Sequence, residues 1–130
     1  MSRSGYVDDC ETINLYRASV ANALRGKRGQ AFLKEMAAAM DAMEEKVLIA
    51  DDLVTEEGDV CAIATVARAR KMDVSKLDPE DPESIAKVFG IARCMAAEIE
   101  YMNDEWGPYT ETPEERWTRM RKWVDKQIRS

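Results

Sequence analysis

The chain has 130 residues, a length that fits one domain of ordinary size, and we expect residues 1–130 to form a single helical domain. It is 45% hydrophobic and 34% charged, which is typical of a globular protein and not of a disordered one. It contains no histidine, and its three cysteines, Cys10, Cys61 and Cys94, are far apart. This pattern excludes the usual zinc sites and every mechanism that uses a histidine base. We therefore expect no metal, no other cofactor and no enzymatic activity.

The first residues, Met1–Gly5, carry no apolar segment of the kind found in signal peptides. No window approaches the 18 or so consecutive apolar residues of a membrane-spanning helix. We expect a cytoplasmic protein with no membrane association.

Apolar residues that recur every three or four positions predict an all-α fold, a compact bundle of five to six helices. The first helix is predicted from about residue 9 to residue 25, with Asp8 and Asp9 at its N-terminal cap and Gly26 as its stop. Lys27–Gly29 then form the turn, and the second helix runs over about residues 30–45. The methionines of that helix, Met36, Met40 and Met43, belong either to the core or to a dimer interface.

The segment from Lys46 to Val60 is ambiguous. Two short apolar runs allow a short hairpin near residues 47–60. We favour a short helical or irregular connection, because two isolated strands of three residues are marginally stable.

Local signals place the remaining helices. The third covers about residues 60–71, and the fourth, over 82–89, has Asp81 as its N-cap and Pro82 at its first position. The fifth covers about residues 91–103, and the last begins with the capping box of Thr112 and Glu115. Residues 82–103 resemble a helix-turn-helix pair. Because the second helix of that pair offers one arginine and two glutamates, we interpret the pair as structural and not as a DNA reader.

Two local clusters remain ambiguous. The acidic end of the fifth helix, Glu98–Glu105, fits a solvated helix terminus and lacks the spacing of a metal site. Trp117 and Trp123 fix the last helix to the bundle, or else Trp123, next to basic residues, is exposed and forms a hot spot for a partner.

The turn at residues 25–29 is the best local anion site, because Arg25, Lys27 and Arg28 precede a helix whose first N–H groups are free. It lacks the lysine–hydroxyl pair of a nucleotide-binding loop. The turn is either a solvated connection or a contact to nucleic-acid phosphate or to an acidic partner.

Charge is distributed in blocks along the chain. Residues 41–60 carry eight acidic residues and one basic residue, among them Asp51, Asp52, Glu56 and Glu57, whereas residues 116–130 carry six basic residues and one acidic residue. The fold either places these blocks on different faces or interleaves them. A net charge of −6 disfavours general affinity for nucleic acid. It fits either an acidic surface that only keeps the protein soluble, which is the default interpretation, or a protein that binds a basic surface.

Several segments together resemble a group of small uncharacterised proteins carried by bacteriophages and prophages. The segments are Ser4–Tyr6, Asp8–Cys10, Arg25–Leu33, Leu77–Asp81, Phe89–Ala92, Tyr101–Glu105 and Glu111–Glu114. The resemblance implies a small phage-encoded accessory protein in the cytoplasm of a bacterial host. We expect it to bind and modulate a host or phage protein, for example as an inhibitor of host defence, with a homo-oligomer left open. The alternative is a nucleic-acid-binding accessory or regulatory protein that uses the basic turn at 25–29.

Overall fold

A computed structural model describes the backbone of residues 10–129 and the side chains from residue 15 onwards. Residues 10–129 form six α-helices, which confirms the predicted helical bundle. Their bounds are α1 Cys10–Arg25, α2 Lys27–Asp41, α3 Ala64–Arg70, α4 Pro82–Phe89, α5 Arg93–Asp104 and α6 Pro113–Gln127. The predicted cap of α1, Asp8 and Asp9, lies outside the described residues, as does the Ser4–Tyr6 part of the resemblance. No helix in the described part of the chain is long and apolar enough to cross a membrane.

The junction of α1 and α2 differs from the prediction. Lys27–Gly29 are not a turn but the first turn of α2, and Gly26 alone separates the two helices, with an extended backbone at φ −67° and ψ 163°. Gly29 is buried because α1 passes so close that a Cβ atom on Gly29 would lie 1.9 Å from the carbonyl oxygen of Ala23. Helix α2 can therefore begin three residues earlier than the local sequence pattern indicates.

Helices α2 and α6 pack against each other in antiparallel orientation. Near the start of α2, Gln30 Nε2 donates a hydrogen bond of 2.8 Å to the carbonyl of Gln127 at the end of α6. At the other end of α2, Arg121 Nε lies 2.8 Å from Asp41 Oδ1. The three methionines of the α2 segment, Met36, Met40 and Met43, are buried in the core.

Helices α4 and α5 form the predicted helix pair. Asp81 Oδ1 accepts from the N–H of Ser84 at 3.2 Å, as expected of an N-cap, and Gly90 ends α4 in the left-handed conformation at φ 72°. Helix α5 packs against α1, α4 and α6 and contributes a continuous row of buried residues. It is the central helix of the bundle.

Residues 42–63 form a long irregular connection that is held by side chains of α5 and α6. The possible hairpin at residues 47–60 is reduced to one antiparallel bridge, between Val54 and Val60, and the described residues contain no regular strand. The N–H of Leu48 donates to the carbonyl of Pro113 at 3.1 Å, so this connection is fixed to the start of α6. At the same helix end, Thr112 and Glu115 make both hydrogen bonds of the predicted capping box.

Candidate binding surfaces

Most arginines of the second half of the chain are used inside the fold. Arg70 pairs with Glu35 at 2.7 Å, Arg121 with Asp41 at 2.8 Å, and Arg119 with Glu111 at 2.6 Å. The hydrogen bonds from Arg70 and Arg121 lower the pKa of Glu35 and of Asp41, respectively. The basic block at 116–130 is therefore partly interleaved with acidic residues and does not form one exposed face.

The acidic block at 41–60 leaves a group of carboxylates at the surface. Glu44 and Glu45 follow α2, and Glu57 and Asp59 come from the turn before α3; these four line one groove of about 380 Å³. All four side chains are exposed, and none makes an ion pair with a described residue. The guanidinium of Arg68, which also lines the groove, donates to the carbonyl of Gly58. We call this set the acidic groove.

Four acidic residues selected from the sequence divide between two places. Glu57 lines the acidic groove and Glu56 is exposed next to it in the turn. Asp51 and Asp52 lie elsewhere: Asp51 has a left-handed backbone and its N–H donates to Asp104 Oδ1 at 3.1 Å, while Asp52 lines a narrow cleft beside Glu100. Glu44, Glu45 and Asp59 belong to the acidic block in the sequence, but only the fold brings them to Glu57.

The prediction of a solvated acidic end for α5 is wrong for two residues. Glu100 and Asn103 are buried, with 4% and 2% of their surface exposed. Cys61 is close to Glu100, and burial, with a smaller effect of that carboxylate, raises the pKa of the Cys61 thiol to about 12. Cys61 is thus an inert core residue and not a nucleophile.

Among the residues with described side chains, no group of three or more Asp, Glu, Cys or His side chains could hold a metal ion.

The basic turn is rearranged by the early start of α2. Lys27 and Arg28 are exposed in the first turn of α2, a position where no acidic residue balances the helix dipole. Arg25, in contrast, faces a groove of about 540 Å³ between α1 and the end of α6, together with Arg17, Lys126 and Arg129. The fold therefore separates Arg25 from its two neighbours and brings it to basic residues that are about a hundred positions away.

Trp117 and Trp123 are half-buried and pack against the core, so both contribute to fixing α6. Lys46 Nζ lies 5.6 Å from the centre of the Trp117 ring, a cation–π contact.

Trp123 also lines a groove of about 530 Å³ with Met102 and Trp106. The helical pattern does not single out Trp106, which is 61% exposed. The signal in the sequence is the run Trp106–Tyr109, with two aromatic residues in a break between helices.

A partly buried ion pair holds the segment that carries Trp106. Arg119 binds Glu111 through Nε at 2.6 Å and Nη2 at 3.0 Å, and its Nη1 donates to the carbonyl of Met102 at the end of α5. A Cβ atom on Gly107 would lie 2.7 Å from both carboxylate oxygens of Glu111, so the backbone passes close to this pair. Trp106 is consequently presented on a loop that is anchored at both ends.

The helix-turn-helix-like pair does not present a recognition helix. Seven residues of α5 are buried, because this helix packs on three others. Arg93, at its N-terminal end, is its exposed basic residue. Reading of base edges needs a helix whose outer face is free to enter the major groove, so the pair is best explained as part of the core.

No family model, curated protein or solved structure matches the chain.

Proposed function

We propose that the protein works by binding a protein partner with a basic surface, and that the acidic groove is the contact site. The observation that carries the proposal is the set of carboxylates around that groove, Glu44, Glu45, Glu57 and Asp59, which are exposed and make no ion pair with described residues. Elsewhere in the molecule, Glu35, Asp41 and Glu111 are each paired with an arginine. Carboxylates left unpaired in this way are available to an external partner.

The physical reason is electrostatic complementarity. Arg68 offsets about one of the four negative charges around the groove. The remaining like charges repel each other, and cations of a partner relieve that repulsion while steering the encounter. Exposed pairs add little free energy one by one, but charge complementarity selects the partner and speeds association. The groove therefore suits recognition of a surface rich in lysine and arginine.

The resemblance to proteins of phages and prophages supplies the biological setting of the proposal. In that setting the partner is a host or phage protein in the bacterial cytoplasm, and binding modulates it. In the most specific version of the proposal, the partner normally binds nucleic acid, because its basic surface would accept these carboxylates in place of phosphates. The protein would then act as an inhibitor of that partner.

An affinity pull-down from bacterial lysate, with and without nuclease, tests the proposal. The tagged wild type is compared with Glu44→Lys/Glu57→Lys, which reverses two charges in the groove. The control is Glu80→Lys/Glu83→Lys, which makes the same change of charge at exposed positions before and in the first turn of α4. We expect a protein that survives nuclease treatment, is recovered with wild type and with the control, and is lost with the groove variant.

Two results would contradict the proposal. Equal recovery with the groove variant would show that the groove is not the contact site. Recovery of proteins only in the absence of nuclease, with no partner that survives the treatment, would favour the alternative function, a nucleic-acid-binding accessory protein.

A further inference from the structure

Four basic side chains from opposite ends of the chain meet in the groove between α1 and the end of α6. They are Arg17 and Arg25 of α1 and Lys126 and Arg129 at the C-terminal end of the chain, and all four are exposed. The apolar residues that line the groove are Val20, Ala21 and Leu24. Among the residues that line it, one is acidic: Glu98, which is half-buried. We call this set the basic groove.

We infer that the basic groove binds a chain of phosphate groups. This site is separate from the acidic groove and does not depend on the proposed protein contact. The shared chemistry is a run of phosphates, supplied either by the backbone of a single-stranded nucleic acid or by a free oligophosphate.

The charges around the groove sum to a positive value, which favours an anion as its ligand. The groove lies at the C-terminal ends of α1 and α6, and each helix end acts as roughly half a negative charge. These two ends and Glu98 together offset about two of the four positive charges. The N-terminus of α2 begins two residues after Arg25, beyond Gly26, and its helix dipole adds positive charge near the groove. The groove keeps a positive field in a molecule whose net charge is −6.

Gln30 links the two helix ends beside the groove and occupies two carbonyl groups with hydrogen bonds. Its Nε2 donates to the carbonyl of Leu24 at 2.7 Å and to that of Gln127 at 2.8 Å. Its Oε1 accepts from the N–H of Arg129 at 2.7 Å. One side chain thus joins the ends of α1 and α6 and fixes the backbone on both sides of the groove.

The residue types and their spacing point to several phosphates. Three of the four cations are arginines, whose guanidinium groups match phosphate oxygens in pairs. Arg17 and Arg25 are eight positions apart on α1, which is about 12 Å along the helix axis. One nucleic-acid strand carries a phosphate about every 3.4 Å of duplex axis, so the site spans more than one phosphate.

Fluorescence anisotropy with a labelled oligothymidylate tests the inference. Wild type is compared with Arg25→Glu/Arg129→Glu and with the matched control Lys76→Glu/Lys87→Glu, which reverses two exposed cations outside the groove. The variant keeps the backbone N–H of Arg129 that binds Gln30, and the hydrogen bond that it loses, from Arg25 Nε to the carbonyl of Ala21, is exposed, so we expect the fold to be retained. We expect the groove variant to lose at least about tenfold in affinity, whereas the control changes by less than about twofold. A plot of the logarithm of the association constant against the logarithm of the salt concentration should become less steep by about 1.4. The reason is that each phosphate contact on a single strand contributes about 0.7 to this slope, and the variant removes two.

Competition separates the sources of phosphate. Displacement of the oligonucleotide by tripolyphosphate, but not by polyglutamate of equal charge, supports the site with nucleic acid as its ligand. If tripolyphosphate binds but the oligonucleotide does not, and the groove variant loses this binding, the site is supported with a free oligophosphate as its ligand. The inference is overturned if neither ligand binds at low salt, if both double variants weaken binding equally, or if polyglutamate competes as well as tripolyphosphate. Recovery of a protein partner by the Arg25→Glu/Arg129→Glu variant is expected to be unchanged, so this test and that of the acidic groove fail independently.

Discussion

Asn103 joins three segments that are far apart in the sequence. Its Oδ1 accepts from the N–H of Ala62 at 3.0 Å, and its Nδ2 donates to the carbonyl of Ile49 at 2.9 Å. Nδ2 also donates to Asp104 Oδ1, which in turn accepts from the N–H of Asp51. Through this side chain, α5 fixes both halves of the irregular connection that carries the acidic groove.

We expect Asn103→Ala to lower the free energy of unfolding by about 3 kcal/mol, because the N–H of Ala62 and the carbonyl of Ile49 lose their partner and each such group costs about 1–3 kcal/mol. Urea denaturation followed by circular dichroism measures the change. The exposed Asn22 on α1 offers a control, since Asn22→Ala should stay within about 0.5 kcal/mol of wild type. Equal effects of the two substitutions would show that Asn103 does not hold the connection.

Gly29 sets the distance between α1 and α2. A methyl group there would meet the backbone of Ala23, and backbone cannot move aside as a flexible side chain can. We expect Gly29→Ala to destabilise the protein by more than about 2 kcal/mol, despite the better helix propensity of alanine. Gly26→Ala is the matched control: its Cβ would lie 3.4 Å from the carbonyl oxygen of Asn22, so its cost should be below about 1 kcal/mol. Thermal unfolding of both variants gives the comparison, and a Gly29→Ala protein as stable as the control would contradict the close approach.

At the residue scale, periodicity predicts most of the core but not its polar members. Met95, Ile99 and Met102 are buried as their spacing indicates. Asn103 and Glu100 were expected in solvent because buried polar groups are costly unless they are hydrogen-bonded. Their burial follows from the packing of α5 on three sides and from the hydrogen bonds that a distant connection offers to Asn103, neither of which is visible in the sequence around them.

At the scale of elements, two ion pairs attach α2 to its neighbours. Arg70 of α3 binds Glu35 through two hydrogen bonds of 2.7 Å, and Arg121 of α6 binds Asp41 in the same bidentate way. These hydrogen bonds lower the pKa of both carboxyl groups in the folded protein. A lowered pKa contributes stability that is present above the pKa of the unfolded chain and is lost as the pH falls through the folded value.

We therefore expect the double variant Glu35→Gln/Asp41→Asn to be less stable than wild type at neutral pH, by at most about 1 kcal/mol for each of these exposed pairs. The difference should shrink below about pH 4, where both carboxyl groups become protonated in the unfolded chain. Urea midpoints at neutral and acidic pH measure it. Glu56→Gln/Glu57→Gln, which removes two exposed and unpaired carboxylates, is the control and should show no such loss. A difference that stays constant down to acidic pH would contradict the assignment.

The helix ends at Asp81, Gly90 and Thr112 agree with the structure, whereas the predicted starts of the second helix and of the third, which begins at Ala64 and not near residue 60, do not. Asp81 with Pro82, Gly90, and the Thr112 capping box define their helix ends at the predicted residues. The start of α2 was misplaced because glycines in sequence indicate a turn, while Gly29 serves close packing inside a helix. Residues 42–63 were ambiguous because their partners, Asn103 and the start of α6, are supplied by the tertiary structure.

On the scale of the whole molecule, the two charged grooves lie at opposite ends of α2. Helix α2 begins beside the basic groove, where Gln30 binds Gln127, and ends at Asp41, just before Glu44 and Glu45 of the acidic groove. Its 15 residues extend over about 22 Å. The sequence predicts the blocks of charge, but which of them are neutralised inside the fold and which meet across a groove is decided by the antiparallel packing of α2 and α6.

The most direct test of the protein-binding role is the affinity of the purified partner for the wild type, Glu44→Lys/Glu57→Lys and Glu80→Lys/Glu83→Lys, measured at low and moderate salt. We expect the groove variant to bind at least about tenfold more weakly than the wild type, with a slower association rate and a smaller dependence on salt. The control should retain the wild-type values. Equal affinities for all three proteins, or equal losses in both variants, would contradict the acidic groove as the site of binding.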